Sequence, residues 1–173
     1  MEENKALIKL IKDELKLPSP KSKCTWAFSG NYVLYLYHLI LQDIISQKYE
    51  KPDVIDIICT TAVYNKLLKL DRSKLTNKKG LIFELSGNIL INIICIKNNT
   101  IFAEADNMKD YHIININHLM ELKKNELELR KHRLHSIFLD IDYIAKIILF
   151  RRALVTDEKD TIVDIVAKLQ QEI

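Results

Sequence analysis

The sequence predicts a mixed α/β (α+β) fold, with an α/β core over residues 1–116 and a C-terminal helical part over residues 117–173 packed on it as one compact domain. Three observations carry this expectation. Short β-branched runs alternate with helix-length apolar stripes through the first two thirds of the chain. Ser86-Gly87-Asn88 joins two apolar runs in the manner of a hairpin, and beyond Asn117 only helical periodicity remains. With 173 residues, 48% hydrophobic and 28% charged, the chain has the length of about one domain and enough apolar content to bury a core without disulfides or a structural metal.

The elements follow in order. Leu7, Ile8, Ile11 and Leu15 lie at helical spacing and stop before Pro18-Ser19-Pro20, which reads as an amphipathic opening helix. Thr25-Trp26-Ala27-Phe28 is a short strand ended by Ser29-Gly30-Asn31, and an apolar helix follows from Tyr32 to Ile45. Val54-Ile55-Asp56-Ile57-Ile58-Cys59 is apolar on both faces, which suits a buried central strand with Asp56 as its one interior charge. Thr61 would cap a helix carrying Val63, Leu67, Leu68 and Leu70, and a lysine-rich loop runs to Lys79-Gly80. Leu81–Leu85 and Ile89–Ile96 form the hairpin arms, with further strands expected over 100–104 and 112–116. Helices are expected from Asn117 to His132, from Ser136 to Phe150, and from a cap at Thr156 onward, where Ile162, Ile165, Val166 and Leu169 make the stripe.

Composition excludes several functions. Three glycines are too few for a phosphate-cradling P-loop or a G-x-G-x-x-G turn, and neither pattern occurs. The opening MEENKALIKLIKDELK has neither the apolar core of a signal peptide nor a membrane span, so a cytoplasmic, intracellular protein without membrane association is expected. Cys24, Cys59 and Cys95 are far apart and set in apolar segments, which is how reduced core thiols look. A net charge of +3 does not by itself argue for nucleic acid. No local signature of a Ser-His-Asp or Cys-His constellation is present.

Ser29-Gly30 closes a strand and opens a helix, and a carboxylate-bearing strand follows. Trp26-Ala27-Phe28-Ser29-Gly30 and Val54-Ile55-Asp56-Ile57 resemble the two motifs hG[GS] and [DE]h[DE]h of the nucleotidyltransferase-fold superfamily, the minimal nucleotidyltransferases and DNA polymerase beta-like enzymes. The resemblance covers roughly 120 residues. It implies a mixed sheet of nucleotidyltransferase type, with a third carboxylate position on a later strand in register with Asn92, and helices resembling those over Leu119–Ile148, with Leu122-Lys123-Lys124, Arg130 and Asp140.

Nucleotidyl transfer stabilises an in-line displacement with two divalent ions, which need several carboxylates converging from neighbouring strands. Two carboxylates on one strand share a face only when they are two residues apart. The residue two before Asp56 is Val54, and Asp53, three before it, falls on the opposite face unless a bulge intervenes. Asn92 is neutral, so the metal positions reduce to Asp56 with a degenerate Asn92. The resemblance therefore implies a nucleotidyltransferase-like pseudoenzyme, a nucleotide-binding, regulatory or scaffolding subunit in which Ser29, Gly30, Lys124 and Arg130 contact the nucleotide. The alternative is an active Mg²⁺-dependent enzyme that transfers an NMP to a nucleic-acid or protein acceptor, using Asp56 with Asp53 or with Glu84 as catalytic carboxylates. Glu104 and Asp106 complete the set of carboxylates from which a rearranged site can be written, and each also reads as a solvent-facing strand-end residue. A further alternative is a protein-interaction module on an inherited fold, with Asp56 a structural residue bonded to a loop.

Residues 123–135 concentrate lysine, arginine and histidine on an expected helix, which would meet a triphosphate or a nucleic-acid backbone, or else form a solvated face with Glu–Lys pairs. No aromatic residues interleave there for base stacking. Arg130 and His135 form an R-x4-H pattern similar to that of HEPN-type RNases, whose all-helical fold the expected strands contradict. His132 and His135 share a helical face but lack a third zinc ligand of obvious spacing. Tyr32, Tyr35 and Tyr37 read as packing residues with a polar tip at the surface, the alternative being a base-stacking platform.

Overall fold

The first helix, α1 (Glu2–Glu14), buries Leu7, Ile8 and Ile11 at the spacing the sequence predicts. Its end is a Schellman motif. Lys16 takes a positive φ of 49°, its N–H reaches Asp13 O, and the N–H of Leu17 donates to Lys12 O at 3.0 Å. The computed structural model describes residues 2–20, 23–70, 74–77, 80–129 and 134–157.

After α1 come β1 (Trp26–Ser29), α2 (Gly30–Leu41), β2 (Val54–Cys59), α3 (Thr61–Leu68), β3 (Lys74–Asn77), β4 (Gly80–Leu85), β5 (Ile89–Cys95), α4 (Thr100–Ala103), β6 (Asp106–Asn107), β7 (His112–Ile113), α5 (Ile116–Leu129) and α6 (Leu134–Asp157). The fold is mixed α/β, with helices in the C-terminal part, as expected. The described strands form one mixed sheet in the order β3-β4-β5-β2-β1-β7-β6. β2 sits centrally, antiparallel to β1 and parallel to β5, which suits its apolar character on both faces.

The register divides the sheet into alternating rows. Phe28, Ile57, Ile93 and Leu81 are successive partners across β1, β2, β5 and β4, and all four are fully buried. Ile55, Ile91 and Phe83 make a second apolar row on the same face. One residue along, the opposite face carries Ser29, Asp56, Asn92 and Ile82. The period of two along each strand thus separates a core face from a face bearing the polar row.

The chain divides into two compact units. One comprises residues 1–33 and 51–114 and contains the whole sheet with α1 and α3. The other comprises residues 34–50 and 115–173 and contains most of α2 together with α5 and α6. In this second unit α5 buries Ile116, Leu119 and Lys123, and α6 buries Ile137, Asp140, Tyr143, Ile144 and Ile147. Lys123 Nζ donates to Asp140 Oδ2 at 2.8 Å, and the Tyr49 hydroxyl donates to Asp140 Oδ1 at 2.6 Å. Burial, followed by its hydrogen bond to Asp140 and the Asp140 charge, pushes the Tyr49 hydroxyl well above its ordinary range.

Several expected boundaries change for local reasons. The strand expected over 100–104 is the single turn α4, because Asn98 Oδ1 accepts the Thr100 N–H at 3.0 Å and favours a turn. The strand expected over 112–116 shortens to His112–Ile113, because Asn115 Oδ1 accepts the Asn117 N–H at 2.9 Å and caps α5. Thr60, and not Thr61, occupies the N-cap position of α3, with its hydroxyl buried and without a partner. α2 ends at Leu41, four residues before the expected Ile45, and the loop before Gly80 contains β3. Thr156 lies inside α6, whose apolar run carries the helix past the expected cap. The remainder of the expected terminal helix lies outside the described residues.

Candidate functional site

The site is built where β1 hands the chain to α2. Gly30 is the first residue of that helix and takes a positive φ of 63°, a conformation glycine adopts without steric cost. Ser29, immediately before it, is the register partner of Asp56, and Asp56 is the register partner of Asn92. Three strands distant in sequence therefore align these polar residues in one row on one face.

Asn92 Nδ2 donates to Asp56 Oδ1 at 2.7 Å. A glycine stands beside each member of this pair. A Cβ added at Gly30 would overlap Asp56 Oδ2 and lie 3.1 Å from its Cγ, and one added at Gly80 would lie 3.0 Å from Asn92 Oδ1. Two of the three glycines in the chain thus leave room for the carboxylate–carboxamide pair. Ser29 is buried at 2% exposure, while Asp56 and Asn92 are partly accessible. The face then runs out through partly accessible Ile82, Leu90 and Ile94 to exposed Val54 and Glu84.

The remaining candidates stand elsewhere. Asp53 is exposed in the bend ahead of β2, and pairing from Val54 to Cys59 is residue for residue, with no bulge between Val54 and Asp56. Glu84 shares the face of Asn92 but sits on β4, two strands from Asp56. Glu104 ends α4, and Asp106 lies on the far edge strand β6. Lys124 is exposed on α5 in the helical unit and pairs with Glu121 at 3.4 Å. Arg130 and His132 lie outside the described residues, and His135 is exposed on α6.

Of the basic segment 123–135, residues 123–129 lie on α5 and Leu134 and His135 on α6, and residues 130–133 lie outside the described residues. Lys123, one of its expected cations, is turned inward to Asp140. Tyr32 packs in the core, but its hydroxyl is buried and not at the surface, donating to Asn4 Oδ1 at 2.7 Å, and the Tyr37 hydroxyl accepts from Arg151 at 3.1 Å.

Chemically, the row offers one carboxylate, one carboxamide whose nitrogen is committed to that carboxylate, and one buried hydroxyl. A two-ion centre uses several carboxylates, so one carboxylate with a neutral carboxamide oxygen does not match it. Among the described residues no group of three His, Cys, Asp or Glu side chains converges closely enough to hold an ion. Sequence reasoning did not anticipate the place of Gly80 beside Asn92; its only signal was a glycine at the start of a strand. Among the described residues no helix is long and apolar enough to cross a membrane. No family model matches the chain, and no curated protein and no solved structure matches it either.

Proposed function

We propose that this chain is a nucleotidyltransferase-like protein with a depleted metal site, which binds a nucleotide at the Ser29–Asp56–Asn92 row and serves as a regulatory or scaffolding subunit. The observation that supports this reading is the alignment of Ser29, Asp56 and Asn92 across β1, β2 and β5, with Gly30 and Gly80 leaving room for the pair. A row of this kind presents hydrogen-bonding groups on a partly accessible sheet face, beside a helix start where backbone N–H groups have no partner within the helix. Asp56 would accept from a ribose hydroxyl or base amine, while Ser29 and Gly30 hold the chain where a phosphate approaches. One carboxylate where a two-ion centre uses several favours binding without transfer.

Thermal unfolding with each of the four NTPs, in Mg²⁺ and in EDTA, tests the reading. A nucleotide at about 100 times its dissociation constant stabilises the folded state by about 2.7 kcal/mol, a shift of a few degrees for this chain length. The expected result is a metal-independent shift that Asp56→Ala removes. A shift that requires Mg²⁺ would favour the active enzyme instead. No shift with any nucleotide would leave a protein-interaction module as the better reading.

A further inference from the structure

The two cysteines that end β2 and β5 are register partners. Cys59 pairs with Cys95 in the parallel ladder, and the Ile96 N–H donates to Cys59 O at 2.9 Å, so the ladder is closed at this point. Hydrogen-bonded strands lie about 4.8 Å apart, within the range of about 4.4–6.8 Å that disulfide Cα atoms span. Register partners project from the same face, and Cys59 and Cys95 share the face of Ile57 and Ile93, opposite to Asp56 and Asn92. Two thiols separated by 36 residues of sequence are thereby placed side by side.

Their surroundings differ. Cys59 is fully buried, and burial, with the neighbouring Cys95 adding to it, pushes its thiol up to about 12. Cys95 is partly accessible, and the Thr61 hydroxyl at the start of α3 stands 3.7 Å from its Sγ, within hydrogen-bonding reach of sulfur. Cys24 is separately occupied, its thiol donating to Trp26 O at 3.4 Å and pushed up to about 11 by burial.

We propose that Cys59 and Cys95 are a redox pair, in which a peroxide oxidises Cys95 and Cys59 resolves it to an intramolecular disulfide between β2 and β5. Cys95 Sγ, as thiolate, attacks a peroxide oxygen; an S–O bond forms, the O–O bond breaks, and the alcohol or water departs with a proton from solvent. Cys59 Sγ then attacks the sulfenic sulfur of Cys95; the S–S bond forms, the S–O bond breaks, and the hydroxide leaves with the Cys59 proton as water. Two thiols and one peroxide become one disulfide, one alcohol or water, and one water. The buried, high-pKa thiol of Cys59 makes the second step the slow one. The crosslink clamps the two strands that also carry Asp56 and Asn92, three residues away.

The test is hydrogen peroxide treatment of the native chain, followed by an alkylating quench under denaturing conditions and peptide mapping by mass spectrometry. The expected product is a monomer with a Cys59–Cys95 crosslinked peptide, two hydrogen masses lighter, with Cys24 alkylated. In Cys59→Ser, Cys95 should stop as a sulfenic acid that dimedone traps, and Thr61→Val should slow that trapping severalfold. The fluorescence of Trp26 reports whether each variant is folded. A wild-type chain in which both sulfurs stay reduced, in which Cys95 runs to sulfinic acid with Cys59 still a thiol, or in which Cys24 supplies the partner overturns the proposal.

Discussion

Gly30→Ala perturbs the site at its most constrained point, and its cost divides into two parts that a second substitution separates. The first part is backbone. At φ 63° a residue with a Cβ pays about 1–2 kcal/mol that glycine does not. The second part is the side chain above it. The new Cβ would overlap Asp56 Oδ2, so the carboxylate must swing away and give up its 2.7 Å bond from Asn92 Nδ2. A hydrogen bond to a charged group contributes about 1.5–3 kcal/mol, and the partial exposure of Asp56 places it at the low end.

Gly30→Ala should therefore cost about 2.5–4 kcal/mol in the wild-type background and distinctly less in Asp56→Ala, where the backbone part of about 1–2 kcal/mol and a 3.2 Å contact with the Cβ of residue 56 remain. Equilibrium urea unfolding followed by Trp26 fluorescence measures both. Trp26 is the only tryptophan in the chain, is buried, and lies on the same strand, three residues before Ser29, so the readout is local. Equal costs in the two backgrounds would refute the placement of the Asp56 carboxylate over Gly30.

Three further outcomes are expected. Asp140→Ala leaves the buried Lys123 ammonium with the longer 3.6 Å pairing to Glu126, removes the acceptor of the Tyr49 hydroxyl, and should cost about 3 kcal/mol, whereas Lys123→Met with Asp140→Leu should be far milder; comparable losses by denaturant unfolding would show that the pair is not buried as a unit. Asn92→Asp sets a second carboxylate against Asp56, raising the pKa of one of them and lowering stability at pH 7; Mg²⁺ should restore the loss in this variant and not in wild type, as read by melting temperature. Burial holds the His112 imidazole below its ordinary 6.5, so the unfolded chain binds more protons as pH falls through that value. Stability should be level above about pH 6.5 and decline below it, and His112→Gln should lessen the decline in a pH series of unfolding curves.

Local chemistry made much of the fold legible. The helical spacing of Leu7, Ile8 and Ile11, the β-branched run at Val54–Cys59 and the turn residues Ser86-Gly87-Asn88 each determine an element through neighbours a few residues away, and each element is found. Two of the misplaced boundaries share one cause. Asn98 and Asn115 bond the backbone two residues on and convert apparent strand residues into helix starts, a competition that hydrophobic periodicity does not register. Lys123 departs from the expected basic face through a long-range partner. Its place in a basic run suggests solvent, whereas its shortest ion pair is with Asp140, seventeen residues away in sequence.

The sequence by itself determined which residues can be strand and which helix. It also excluded the glycine-rich phosphate loops. Only tertiary structure decided that β2 lies between β1 and β5, that Gly30 and Gly80 stand beside the Asp56–Asn92 pair, and that Cys59 meets Cys95. The physical reason is that strand identity depends on local periodicity, whereas strand order and register are set by burying all the apolar rows at once, a condition that involves residues from Trp26 to Cys95 together.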